Sequence, residues 1–287
     1  MQISQLFDND SLPVSFEIFP PKGDLPVEAA HAIAAELAPL SPAFVSVTYS
    51  AGGSGNSART IDVARMAKDD FGLTMMAHLT CMGATRDDVA AVLSSMREAG
   101  IENVLALRGD AVPGKTTNDF HFAKELIPVV REAGFCVGAA AYPEGHIDCL
   151  DFDASIRHLK EKQDAGAQFF VTQLFFDNDC ALRFLDAARA AGVTVPITFG
   201  IMPFLSKAQI SRMVFMCGAS LPSPIIKLLA RYEDDPAALR AAGVEYACKQ
   251  LEGLAAAGVD GLHVYTMNQP SIAQAACEAL RACGAVS

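Results

Sequence analysis

The chain has 287 residues, 51% of them hydrophobic, and a formal charge of −11 from 22 Lys and Arg against 33 Asp and Glu. No Lys/Arg-rich cluster of the kind that tracks a phosphate backbone occurs, which argues against a nucleic-acid partner. No apolar run reaches the roughly 18 residues a bilayer span needs, and the stretch through Pro13 lacks a signal peptide's basic and apolar regions, so a cytoplasmic protein without membrane partners is expected.

Short β-branched and aromatic runs alternate with longer Ala-rich runs along the whole chain. Strands are predicted over 14–19, 44–49, 73–80, 103–109, 135–142, 169–176 and 196–201, with helices between them over 26–38, 57–70, 85–99, 119–133, 151–165 and 179–191. A helix over 206–217 and a long one over about 236–257 precede the eighth strand, 261–267, and a last helix spans 271–283. Several helices stop at Ala-Gly, as in Ala99-Gly100 and Ala165-Gly166, just before the next strand. The strands are continuous apolar runs, which fits parallel strands covered on both faces.

Eight βα units without a linker predict one domain over residues 1–287, a (β/α)8 or TIM barrel of the α/β class. A doubly wound open sheet would normally show a Gly-rich first turn, and Phe19-Pro20-Pro21-Lys22-Gly23 has none. The eight cysteines are irregularly spaced and form no Cys-x-x-Cys pair, so most read as small core residues.

In such barrels function concentrates where the strands run out. Those positions here read Glu17, Thr48, His78, Arg108-Gly109-Asp110, Tyr142, Gln173, Gly200 and Tyr265. Nearly every strand therefore ends on a group that can ionise or hydrogen-bond. Glu17 is flanked by bulky apolar residues, so burial is expected to raise its pKa and keep it protonated for general acid work; pairing with a barrel arginine is the structural alternative. Gly109 would let the backbone approach a flat ligand beside Asp110, although Asp110 could equally cap the following loop. Arg108 suits either Asp110 or a ligand phosphate.

His78 reads as well as hydrogen-bonded core as it does as a ligand contact. His146 lies in a loop, and His158 and Lys162 share a helix face that could simply be solvated. No lysine ends a strand for a Schiff base, and no serine nucleophile elbow occurs. His121, His146, Asp148 and Cys149 match no metal-ligand spacing, so no metal is expected. Polar strand ends without a metal or nucleophile suggest an organic cofactor.

Taken together, the segments Ser15-Phe16-Glu17-Ile18-Phe19-Pro20-Pro21-Lys22, Val45-Ser46-Val47-Thr48-Tyr49, His78-Leu79-Thr80-Cys81 and Ala106-Leu107-Arg108-Gly109-Asp110 are recognisable. So are Ala140-Ala141-Tyr142-Pro143-Glu144, Thr172-Gln173-Leu174-Phe175-Phe176-Asp177, Gly200-Ile201-Met202-Pro203 and His263-Val264-Tyr265-Thr266-Met267-Asn268. In this order over almost the whole length, the chain resembles the methylenetetrahydrofolate reductase family, in its short bacterial form with only the catalytic barrel.

The resemblance implies reduction of 5,10-methylenetetrahydrofolate to 5-methyltetrahydrofolate by hydride from NADH or NADPH through FAD. It implies a place in one-carbon metabolism and leaves a homo-oligomer open. It makes Glu17 the acid that opens the methylene bridge and puts Asp110 beside flavin and pterin. The implied flavin site is Thr48, His78, Leu107, Arg108, Gly109, Asp110, Phe122, Ala123, Tyr142, His146, His158 and Lys162. The implied folate site is Glu17, Gln173, Gln209, Met213 and Tyr265.

The chain also departs from the family pattern. Ser155, His158 and Glu161 stand where the family typically has Asp, Asn and Arg for the flavin's adenosine and diphosphate. Glu161 is expected to repel the diphosphate and leave FAD weakly held. Met213 stands where an aromatic commonly stacks on the substrate, and Asn268-Gln269 where an Arg can meet the folate tail. Two alternatives stay open: direct hydride transfer from the nicotinamide with little or no flavin, and a barrel that senses folate or flavin without turnover.

Overall fold

Residues two apart on each strand point to one side of the sheet, and eight such strands can share a single interior. A computed structural model, which describes residues 1–8, 11–21, 28–49, 57–110 and 119–286, shows this closure. The strands are β1 (Val14–Ile18), β2 (Val45–Val47), β3 (Met75–Thr80), β4 (Asn103–Leu107), β5 (Cys136–Ala141), β6 (Phe169–Thr172), β7 (Ile197–Ile201) and β8 (Gly261–Tyr265). They pair in parallel in chain order, and β8 returns to β1 with Tyr265 beside Glu17.

The helices are α1 (Glu28–Leu37), α2 (Ser57–Phe71), α3 (Arg86–Glu98), α4 (Ala123–Glu132), α5 (Phe152–Asp164), α6 (Asn178–Ala190), α7 (Lys207–Cys217), α8 (Ser223–Arg231), α9 (Pro236–Ala256) and α10 (Pro270–Ala282). The main core lies between strands and helices, where Val104, Val137 and Leu262 meet Leu126, Leu159 and Leu280. Inside the barrel, Phe44, Met76, Leu105, Cys136 and Phe169 fill the lower layer. A 3-10 turn at Ile3–Asp8 packs Ile3 onto them, and the Ile3 amide donates to Asn103 Oδ1 at 2.8 Å. The lower end is thus closed by apolar packing, and polar inward residues collect in the upper half.

Two expectations need correction. The predicted sixth strand, 169–176, ends at Thr172 because Leu174 and Phe176 leave the ladder for a second apolar cluster with Met202, Phe204, Ile210 and Ile225. The sequence reading also missed α8, a nine-residue helix with proline in its first turn that fully buries Ile225 alone. All eight cysteines are free; Cys81, Cys136 and Cys277 are buried, whereas Cys283 is exposed. Among the described residues no helix is long and apolar enough to cross a membrane. Lys22 and Gly23 lie outside the described residues.

Candidate active site

Alternation along β1, β2, β3 and β8 turns Ser15, Glu17, Ser46, His78, His263 and Tyr265 towards the lumen. The Ser46 hydroxyl donates to Glu17 Oε2 at 3.3 Å. His78 Nε2 lies 3.5 Å and His263 Nε2 3.7 Å from the same oxygen. Behind them His263 Nδ1 meets the Ser15 hydroxyl at 2.7 Å, and its ring stacks on Phe44. The Ser15 hydroxyl itself donates to the Leu262 carbonyl. The Glu17 side chain keeps 18% of its surface exposed, against 9% for His78 and none for His263.

This environment overturns the expected direction of the Glu17 pKa. Burial pushes it up, but the His263 and His78 imidazoles and the Ser46 hydroxyl outweigh burial and hold the carboxyl below its ordinary value. Its partners among the described residues are histidines and a serine, not the arginine of the alternative reading. Burial holds His78 below the ordinary histidine value despite the Glu17 charge, and its Nε2 has no hydrogen-bond partner among the described residues. Ser15, Ser46 and His263 had no role in the sequence reading. Their signal was the two-residue spacing of Ser15 from Glu17 and of His263 from Tyr265.

At the mouth, Gly109 adopts φ +79°, and a Cβ there would lie 2.8 Å from Thr80 Cβ. Asp110 is exposed beyond it, and its charge adds to burial in raising the pKa of Cys217. Arg108 pairs with Asp148 at 2.8 Å and not with Asp110. Gly200 has no side chain to obstruct Tyr265, whose hydroxyl donates to the Thr172 carbonyl at 2.7 Å. Gln173 folds Oε1 back onto the Leu174 amide at 2.9 Å. Gln209 accepts from the Leu205 amide at 2.6 Å and so ties down its own loop, while Met213 packs into the second apolar cluster. Among the described residues no three His, Cys, Asp or Glu side chains gather to hold a metal.

A cavity of about 290 Å³ runs from the β4 and β5 ends between α4 and α5. Leu107, Arg108, Phe122, Ala123, Tyr142, His146, His158 and Lys162, all singled out from sequence, line it. Gly109 and Asp110 follow directly after Arg108. Thr48 and His78 are not among its walls, and the Thr48 amide donates to the Ile18 carbonyl at 3.1 Å. Lys162 Nζ donates to the Ala140 carbonyl at 2.8 Å and sits 5.1 Å above the Tyr142 ring. Among the described residues no carboxylate neutralises it, and burial, with the Arg108 charge adding to it, pushes it down to about 8. Burial likewise pushes the Tyr142 phenol up to about 12.

Ser155, His158 and Glu161 line the outer part of the same cavity. Glu161 is not the bare carboxylate the sequence suggested. It accepts from Lys124 Nζ of α4 at 2.9 Å, and this bond holds its carboxyl below the ordinary value.

Over residues 2–281 the sequence matches the family described as methylenetetrahydrofolate reductase. The chain belongs to that family. It is 35% identical to the 5,10-methylenetetrahydrofolate reductase of Escherichia coli K12, covering 93% of this chain and 90% of that one. It is 36% identical to methylenetetrahydrofolate reductase 1 of Schizosaccharomyces pombe, covering 88% of this chain but 43% of the longer yeast protein. A solved structure of an uncharacterised Clostridium thermocellum protein, titled as binding two copies of 5-methyl-5,6,7,8-tetrahydrofolic acid, superposes with a TM-score of 0.73. It covers 98% of this chain and all of its own at 16% identity, which shows the shared barrel alone.

Proposed function

We propose that this chain reduces 5,10-methylenetetrahydrofolate to 5-methyltetrahydrofolate, with a nicotinamide as hydride donor and FAD held in the cavity between α4 and α5. The observation that carries this reading is Lys162, a largely enclosed ammonium with no carboxylate partner among the described residues, facing a cavity walled by small and aromatic residues. Ala106, Ala123 and Ala140 leave room for a flat ring, and Arg108 and Lys162 supply cations for phosphate, so the residues present fit FAD. When bound, FAD carries the hydride from the nicotinamide to the folate. Leu107, Phe122, Tyr142, His146 and His158 would complete its walls, with Thr48 and His78 toward the lumen.

The net reaction consumes one proton, and in this reading Glu17 delivers it to the bridge nitrogen that leaves the methylene carbon. The carboxylate is ionised near neutral pH in the free barrel. A folate ring over its exposed edge removes the water that favours the charge, and so draws a proton onto it. His78 and His263 border the same oxygen and are the neighbouring proton carriers. Asp110 would stand at the flavin's edge, and Gln173, Gln209, Met213 and Tyr265 around the folate. The test is an anaerobic assay with 5,10-methylenetetrahydrofolate and NADH or NADPH, with and without added FAD. We expect turnover that depends on FAD. Equal turnover by flavin-free protein would replace this reading with direct transfer from the nicotinamide.

A further inference from the structure

The cavity carries more cations than carboxylates on its walls. Its walls hold Arg108, Lys124 and Lys162 against Asp148 and Glu161, a positive surface on a protein of formal charge −11. Arg108 is engaged by Asp148, and Lys162 is anchored deep on the Ala140 carbonyl. Lys124 and Glu161 come from different helices and meet across the entrance with side chains 41% and 46% exposed. An exposed pair of this kind adds little to stability, because water screens both partners. Its position is therefore better explained by what it offers a ligand. A lysine is a mobile point charge on a long stem, and a carboxylate beside it fixes where that charge sits without removing its two remaining donors.

We propose that Lys124, steered by Glu161, is the outer phosphate-binding cation of this cavity and grips the diphosphate of an adenine dinucleotide whose inner phosphate lies towards Lys162. Glu161 is then a positioning residue, and the repulsion expected of a lone carboxylate does not arise. The inference rests on the reading of the cavity as a dinucleotide site and assigns the outer phosphate to α4.

The experiment is a binding titration on the full chain freed of bound nucleotide, using FAD, FMN, NADH and ADP as separate probes. The informative variant is Lys124→Ala/Glu161→Gln, which removes the pair at unchanged net charge. We expect FAD affinity to fall at least about tenfold, with a shallower salt dependence, while FMN, which has one phosphate, shifts less than about threefold. The exchange Lys124→Glu/Glu161→Lys returns a cation to the entrance and should recover most of the loss. Thermal unfolding of each variant reads out any structural damage, and the exchange variant repeats the test with the ion pair intact.

If FAD binds the parent protein and the neutral double variant equally, the inference falls while the flavin reading stands. If FAD fails to bind but ADP or NADH binds with the expected dependence on Lys124, the inference stands and the flavin reading falls. Failure of every probe to bind the parent protein overturns both.

Discussion

Lys162 should cost the ligand-free protein stability, and removing it should expose that cost. Its ammonium is pushed from an ordinary 10.5 to about 8 by burial and by Arg108. A lysine whose folded pKa lies below its unfolded one penalises folding fully below the folded value. The penalty fades as pH rises towards the unfolded value. With about 1.4 kcal/mol per pKa unit, it comes to about 3 kcal/mol at pH 7 and about 1 kcal/mol at pH 10. Lys162→Met keeps an apolar stem of similar length and loses the charge. We expect it to raise the urea unfolding free energy at pH 7 by up to about 3 kcal/mol, with the gain shrinking steadily to pH 10. The same variant should weaken FAD binding about 10- to 100-fold, through loss of a charge-assisted hydrogen bond. Stability gained as ligand affinity is lost is the signature of a residue held in strain for its ligand. A variant destabilised at every pH would show instead that the bond to the Ala140 carbonyl outweighs desolvation, and the argument would fail.

Glu17→Gln keeps the shape but cannot donate a proton, so the folate half-reaction should slow by about 100- to 10,000-fold while nicotinamide oxidation continues. Because the carboxyl is held below its ordinary value, the parent folate half-reaction should accelerate as pH falls from 8 towards 5, and the variant should lose that slope. Equal loss in both halves, measured by stopped flow, would make Glu17 structural. Asp110→Asn removes a negative charge near the proposed flavin site and should raise the bound flavin's midpoint potential and slow folate reduction; an unchanged potential would leave Asp110 a loop residue. Gly109→Ala puts a Cβ at φ +79° against Thr80 and should cost about 1–3 kcal/mol of stability, read as a lower Tm; an unaltered Tm would show that the turn relaxes freely.

The barrel was legible because its signals are local. Strand runs, helix runs and Ala-Gly stops each need a few neighbouring residues, and eight repeats of them admit few architectures. Residue types at the strand ends were equally readable, which brought Glu17, Arg108 and Tyr142 forward, and Arg108 and Tyr142 led to the cavity that Lys162 of α5 also lines. Strand ends and α8 were less so, because apolar residues such as Leu174 and Ile225 are buried whether they pair in a ladder or pack under a helix.

Electrostatics was decided by the tertiary structure. The sequence shows Glu17 between apolar neighbours and points to a raised pKa. Closure of β8 onto β1, whose other neighbour is β2, brings His263 to Ser46 across 217 residues and, with His78 from β3, reverses the sign. Glu161 likewise reads as a lone carboxylate until α4 and α5 pack side by side and set Lys124, 37 residues away, against it. Burial of one residue can be guessed from its neighbours in the chain. The charge that balances it arrives from another strand or helix, and only the folded barrel determines which one.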